Sequence, residues 1–428
     1  MMNLIHKFKN NPRIKNSLWM LIEKALSLFG LIFVVSAVAK YLGPEVYGYL
    51  ALAASIFAIV NVIARLGLDQ IYFKSISKNK TKKIRLHNNI VNLITIVYVP
   101  IAFIVLTFFF FKLDIKYFLF FLATAVATYF TSIDMREVHL NALLLSKINV
   151  LANTIGLIFS LFLRFVIVKF NLPIYYFVFP IVLVTLIPYL IRKIIVNRRR
   201  IFDNTHFFVK KEFLKYSNYF FLVGVPLVIS MLSVNIYLQS ANFFLALFDG
   251  SASVGIYSIA NMLAGAWYFV PTTIVMSFLA LIYNAKNEED YINISGKILR
   301  YILLITLLIV SLLFFLSDYL ILWLYGEDYK QSIYVFKILL FAYFFSVIGF
   351  YFYRLAMKFG GYSFLAKKMT LTCLLNILIS YFFIKKYGVI GAAFSALITE
   401  FLSNMIFNLY YRDMKMISVF SKAIGWRK

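Results

Sequence analysis

The chain has 428 residues, 63% of them hydrophobic and 14% charged, with a mean hydropathy of +0.86. That composition excludes a soluble domain of this size and points to a polytopic membrane protein. A formal net charge of +26 would suggest nucleic acid in a soluble protein. Here the basic residues fall between apolar runs, as in cytoplasmic loops, so no nucleic-acid partner is expected.

In chain order, apolar runs lie at about 17–39, 47–66, 90–111, 117–133, 149–168, 174–191, 218–247, 254–283, 298–316, 333–353, 365–384 and 388–411. By the ~20-residue criterion these are about twelve transmembrane helices, with both termini on one side. The start, MMNLIHKFKNNPRIKN, reads as a basic amphipathic segment with no cleavable signal peptide. With the N-terminus assigned to the cytoplasm, the inside segments along the chain hold 32 of the 43 Lys and Arg residues and the outside loops hold seven, which orients both ends to the cytoplasm. In this count Arg192 and Lys368 belong to inside loops. The expected organisation is a cytoplasmic segment (1–16), a six-helix lobe (17–191), a basic inter-lobe loop (192–216), a second six-helix lobe (217–411) and a basic tail (412–428). The inter-lobe loop carries Arg198-Arg199-Arg200, which reads first as a topology determinant and anionic-lipid contact.

The stretch Tyr41–Asp69 holds a short hinge, Leu42-Gly43-Pro44-Glu45, so the helices on either side of it must be antiparallel neighbours. The second half repeats this outline. A long helix ends at Phe248, Asp249-Gly250-Ser251 forms a hinge, and Val254-Gly255-Ile256-Tyr257 parallels Val46-Tyr47-Gly48-Tyr49. Two matching six-span halves suggest a parallel internal repeat.

The opening hairpin resembles that of the polysaccharide flippases, the O-antigen and capsule transporters of the multidrug/oligosaccharidyl-lipid/polysaccharide exporter superfamily. Two later stretches are similar to the same family: Ile321-Leu322-Trp323-Leu324-Tyr325-Gly326-Glu327-Asp328-Tyr329 before the tenth span, and Tyr387-Gly388-Val389-Ile390-Gly391-Ala392-Ala393-Phe394-Ser395 at the entry to the last. The resemblance implies an all-α, MATE-like fold of two six-helix lobes around a central cavity. It also implies an undecaprenyl-diphosphate-linked oligosaccharide as cargo, alternating access, the bacterial inner membrane, and other polysaccharide-assembly membrane proteins as partners beside membrane lipids.

Polar residues spaced three or four apart share a helix face. Such stripes comprise Glu23, Ser27 and Gly30; Ala54, Ala58, Asn61 and Arg65; Thr124, Thr128 and Thr131; and Asn149, Asn153, Gly156, Ser160 and Arg164. Later spans add Asn235, Gln239 and Asn242, after a kink expected at Pro226; Thr372, Asn376 and Ser380; and Glu400, Asn404 and Asn408. For any one stripe the competing reading is helix–helix hydrogen bonding; stripes on seven spans favour a wet cavity. The polar cavity lining is expected from Asn61, Asn153, Ser160, Asn235, Gln239, Asn242, Asn376 and Asn404. Trp19, Tyr237, Tyr257 and Trp267 are candidates for stacking on sugars.

The cations within spans are Lys24, Arg65, Arg164 and Lys337. They are the expected diphosphate-attracting surface, Arg164 foremost, with snorkelling to an interface as the alternative. Glu400, Glu23 and Asp69 are the candidates for coupling transport to protons or sodium, and Glu400 lies too deep to snorkel. The single cysteine, Cys373, excludes an intrachain disulfide and a multi-cysteine metal site. His6, His87, His139 and His206 fall in or beside inside loops, and no paired-carboxylate or metal-spaced cluster appears, so no enzyme, cofactor or metal is expected. Two other functions stand beside a flippase: a cation-coupled multidrug exporter of the same superfamily, and a membrane-embedded polysaccharide enzyme.

Overall fold

The computed structural model describes residues 30–78, 84–198, 231–285, 287–408 and 415–425. Among the described residues there is no β-strand. The helices are α1 (Ser36–Arg65), α2 (Leu68–Lys78), α3 (Ile84–Phe110), α4 (Ile115–Ile133), α5 (Met135–Ala142), α6 (Ser146–Lys169) and α7 (Val178–Arg198). After the inter-lobe segment come α8 (Met231–Phe248), α9 (Ser251–Gly265), α10 (Phe269–Tyr283), α11 (Glu288–Tyr325), α12 (Ser332–Lys358), α13 (Tyr362–Phe401) and α14 (Lys415–Ile424). Short π-helical stretches occupy Leu31–Val35 and Leu402–Phe407.

Ten helices among the described residues are long and apolar enough to cross a membrane. Two of these are interrupted: α1 at Gly43, and the helix running from Tyr362 to Phe407 at Gly388. Counting both sides of each break recovers the twelve segments expected from the apolar runs. Only the end of the first and the second part of the seventh are described; Pro226 lies outside the described residues. The helix α7 continues through Arg198, so the segment read as the inter-lobe loop begins on a helix. At 38 residues, α11 is about 57 Å long, well beyond the ~30 Å hydrocarbon core.

The chain divides into two compact units. One contains Met1–Leu42 and Ala53–Asn235; the other contains Gly43–Leu52 and Ile236–Lys428. In the first unit, α6 lies closely against α7. A Cβ on Gly156 would meet Pro188 Cδ at 2.6 Å, and Ser160 Oγ donates to Pro180 O at 2.9 Å.

The second unit is fastened at its hinges. Gly43 (φ 72°, ψ 169°) and Gly250 (φ 87°, ψ 177°) adopt the same left-handed-side conformation, which an L side chain would strain. Five residues after each comes a second glycine, Gly48 or Gly255. A Cβ on Gly48 would lie 1.7 Å from Ser251 O, and one on Gly255 would lie 2.0 Å from Pro44 O. The two hinge segments thus meet reciprocally, each contact glycine against the residue following the other's hinge glycine. This contact explains why Gly43–Leu52 groups with the second unit, although the sequence reading assigns it to the first lobe.

Helix α14 packs along α11. Gly296 makes room for Lys422 Cβ, and Arg300 donates to the carbonyls of Ala423 (2.7 Å) and Lys422 (2.9 Å). A guanidinium at the last carbonyls of a helix satisfies groups that lack an intrahelical partner.

Candidate functional site

In the first unit, the central polar feature is an ion pair between α7 and the end of α4. Arg192 donates through Nε to Asp134 Oδ2 at 2.7 Å, and its Nη2 lies 2.7 Å from the same oxygen. Nη1 donates to Asn153 Oδ1 at 2.8 Å, and Glu137 stands 3.7 Å from Nη2. Both charged side chains of the close pair are buried, at 5% and 2% exposure. Charge and hydropathy place Arg192 in a loop; it lies instead within α7, where an acid of a neighbouring segment compensates it.

The α6 stripe is largely consumed by packing. Asn149 donates to Glu137 O and Asn141 Oδ1, both at 2.9 Å, Asn153 receives Arg192, and Ser160 bonds the α7 backbone. Asn149, Asn153 and Ser160 therefore make hydrogen bonds to neighbouring helical segments, the competing reading of such a stripe. Arg164, one turn beyond Ser160, is partly buried.

The other first-unit candidates also meet neighbours. Arg65 Nη2 donates to Thr131 O at 2.5 Å, near the end of α4. Asn61 Oδ1 accepts from Ser132 Oγ at 2.8 Å. Asp69 lies in the first turn of α2, where a carboxylate complements the helix dipole. Asn235 donates to Met231 O within its own helix. Glu23, Lys24 and Trp19 lie outside the described residues.

A feature the sequence reading missed joins α2, α3 and α5. Tyr72, His87 and His139 are all buried, and Tyr72 Oη lies 3.0 Å from His139 Nδ1. The two histidines are core residues, not loop residues. Burial raises the Tyr72 hydroxyl above its ordinary pKa, with the nearby Arg136 opposing the shift, so the phenol stays protonated.

In the second unit a hydrogen-bond ladder joins α13 before its break to the segment after it. Ser380 pairs with Ser395 (3.1 Å), Asn376 with Thr399 (3.1 Å) and Thr372 with Ser403 (2.8 Å). At the end of the ladder Lys368 Nζ donates to Asn404 Oδ1 (3.2 Å) and Asn408 Oδ1 (3.0 Å). Lys368 is only 4% exposed, which corrects its placement in an inside loop. Asn404 in turn donates to Glu400, whose carboxylate also accepts from Ser346 Oγ at 2.6 Å and from Tyr237 Oη. Ser240 of α8 donates to Asn376 Oδ1. Of the residues expected to line a cavity, Asn376 and Asn404 are thus brought together with Glu400, and Lys368 joins them.

The remaining second-unit candidates lie elsewhere. Lys337 Nζ bonds Asp318 Oδ2 at 2.8 Å and sits 5.5 Å from the Phe314 ring centre, so it is already neutralised by an acid. Asn242 Oδ1 accepts from Ser258 at 3.3 Å, and Gln239 is partly buried. Tyr257 and Trp267 are buried in packing, not presented as open stacking surfaces, and Tyr237 is engaged by Glu400. Among the described residues no three His, Cys, Asp or Glu side chains are grouped to hold a metal.

The profile of the family described as "Polysaccharide biosynthesis protein" matches residues 14–280. Among solved structures, the fold is similar to a lipid II flippase, MurJ, in an inward closed conformation, at TM-score 0.69 and 17% identity over 96% of this chain and 90% of that one. It is also similar to a multidrug resistance MATE family transporter of the MOP superfamily. The inward-facing form gives TM-score 0.57 and 14% identity over 96% of each chain. The outward-facing form gives 0.59 and 15% over 96% of this chain and 97% of that one. No curated protein sequence matches.

Proposed function

The chain belongs to the polysaccharide biosynthesis protein family, and from that premise we propose that it is a flippase for an undecaprenyl-diphosphate-linked oligosaccharide. The cargo is an O-antigen or capsule repeat unit, carried across the bacterial inner membrane by alternating access, with both termini cytoplasmic. The observation that carries this reading is the family match over residues 14–280. The fold shared with a protein named as a lipid II flippase supports a lipid-linked cargo.

The chemistry is consistent with it. A diphosphate is a compact anion, and a guanidinium in a low-dielectric region keeps its charge and forks two hydrogen bonds onto phosphate. Arg164, partly buried on α6 in the outer third of its span, is the cation we assign to the headgroup. Membrane lipids and other polysaccharide-assembly membrane proteins are the remaining partners. The protein moves its cargo without covalent change.

The fold shared with multidrug MATE transporters favours one second reading, a cation-coupled drug exporter. A deletion strain separates the two. On the flippase reading it loses surface polysaccharide, accumulates lipid-linked repeat unit and keeps its drug tolerance. Wild-type protein restores display, Arg164→Lys restores part of it, and Arg164→Ala at equal protein level restores none. Full display with Arg164→Ala removes the headgroup role; lost drug tolerance with intact polysaccharide removes the flippase reading.

A further inference from the structure

We propose that Glu400, Asn404 and Lys368 form a proton-binding site with a built-in counter-cation, and that the ion this site takes is the proton and not sodium. The inference deepens the transporter reading by naming the coupling ion, but its geometry stands apart from the choice of cargo.

A carboxyl group at membrane depth is costly when charged, and it persists only with a proton, a cation or dense hydrogen bonding. Glu400 has donors on three sides: Tyr237 from α8, Ser346 from α12, and Asn404 one turn along its own helix. The ionisable groups around it are Tyr237 on α8, Tyr257 on α9, Tyr268 between α9 and α10, Tyr343 on α12 and Lys368 on α13, with Arg354 beyond Tyr268. The nearest permanent or titratable cation in that set is Lys368. It does not touch Glu400. Asn404 stands between them, accepting from the ammonium with its oxygen and donating to the carboxylate with its nitrogen.

That arrangement has two states that differ by one proton. With Lys368 charged, ionised Glu400 makes the cluster neutral overall. When a hydronium ion delivers a proton to a carboxylate oxygen, one of its O–H bonds breaks, a carboxyl O–H bond forms, water is left behind, and the cluster gains one positive charge. The amide bridge keeps its orientation in both states, and the hydroxyl of Ser346 rotates from donor to acceptor as the carboxyl becomes a donor.

Sodium does not suit the same place. A bound sodium would have to displace the donors Tyr237, Ser346 and Asn404 from the ionised carboxylate, and the amide oxygen of Asn404 is already turned to Lys368. The cationic role is already filled by a tethered ammonium. The rest of the ladder, Thr372–Ser403, Asn376–Thr399 and Ser380–Ser395, is neutral. Plain adhesion of these helices is thus achieved without charge, and the charged end calls for a separate explanation.

Two features are built around the bridge. Asn404 lies in the π-helical stretch Leu402–Phe407, a rare backbone form that recurs at functional sites. Gly349 of α12 clears space for its amide: a Cβ there would lie 2.1 Å from Asn404 Oδ1.

The test uses the full-length protein in lipid nanodiscs without cargo, read by infrared difference spectroscopy across a pH series. A protonated-carboxyl band that titrates as one proton and is missing in Glu400→Gln is expected. Its midpoint is unchanged when potassium is replaced by sodium at constant ionic strength. Removing the counter-cation by Lys368→Met, or by Lys368→Gln, which keeps a donor, moves the midpoint up by about one pH unit or more, because the ionised carboxyl loses its compensation. A midpoint that follows sodium, a wild-type spectrum with no titrating band, or an unmoved midpoint in a folded Lys368 variant overturns the proposal. The sodium arm needs no variant. Because no cargo is present, the outcome is independent of the oligosaccharide assignment.

Discussion

Each compact unit holds a buried base linked to an acid from a neighbouring helical segment, and the two units link them differently. In the first, Arg192 grips Asp134 directly through two nitrogens at 2.7 Å. In the second, Lys368 and Glu400 are held apart by the amide of Asn404. A guanidinium does not lose its proton, so the direct pair is one fixed charge state and acts as a strut. A lysine and a glutamate separated by an amide are more weakly coupled, and each has a proton to exchange. The lesson is that the spacing of a buried pair, as well as its presence, separates a joint from a site.

The strut is the place where the comparison breaks most visibly. Arg192→Ala leaves Asp134 buried without its cation, and Asp134→Ala does the reverse. Either is expected to cost about 3–5 kcal/mol of stability, read as a large drop in the thermal unfolding midpoint of the purified protein. If these variants keep the wild-type midpoint and lose only transport, Arg192 belongs to the transport machinery and the contrast between the units collapses.

The bridge in the second unit responds to crowding. Gly349→Ala places a methyl group 2.1 Å from Asn404 Oδ1, and relief requires the amide to turn away from Lys368, Glu400 or both. Overpacking of this kind costs about 1–3 kcal/mol, and transport is expected to fall together with its pH dependence. Normal pH dependence in Gly349→Ala would mean that the amide orientation is immaterial.

Glu400→Gln is milder still for folding. The new amide keeps an acceptor oxygen for Tyr237 or Ser346, so the stability change is about 1–2 kcal/mol. Its signature is functional: transport that no longer varies with pH between conditions where the wild type does. A stability loss as large as that of Arg192→Ala, with pH dependence retained, would make Glu400 a second strut.

The spans were legible because each carries enough apolar residues to cross a bilayer, and both interruptions fall at glycines in the Gly43 and Gly388 motifs. The strut and the bridge were less so. Hydropathy assigns Lys368 to a loop because Lys367 and Lys368 sit near the start of a helix, and a linear count does not show which way a side chain points. A signal existed: Lys368 continues the series Thr372, Asn376 and Ser380 back by one turn. Arg192 offered no such series, since its partner Asp134 lies 58 residues away. The period of the α6 stripe is that of any buried face and cannot separate a cavity wall from a helix joint; the contacts with Pro180, Pro188 and Arg192 on α7 come only from the structure.

Lys337 sharpens the comparison from its weak end. It pairs with Asp318 at 2.8 Å, a separation like that of the strut, but the lysine side chain is 24% exposed and the aspartate 60%. Water screens both charges, and holding two side chains in one geometry offsets much of the attraction, so a pair of this kind contributes less than about 1 kcal/mol. Lys337→Met is therefore expected to leave both the unfolding midpoint and polysaccharide display close to wild type. The alternative has a distinct signature. Were Lys337 part of the surface that attracts a diphosphate, Asp318 would be its competitor, and Asp318→Asn would increase transport while Lys337→Met reduced it. Opposite effects of the two variants at equal protein level would return Lys337 to the cationic set with Arg164. Two silent variants would leave it an exposed pair, with distance alone insufficient to make a strut.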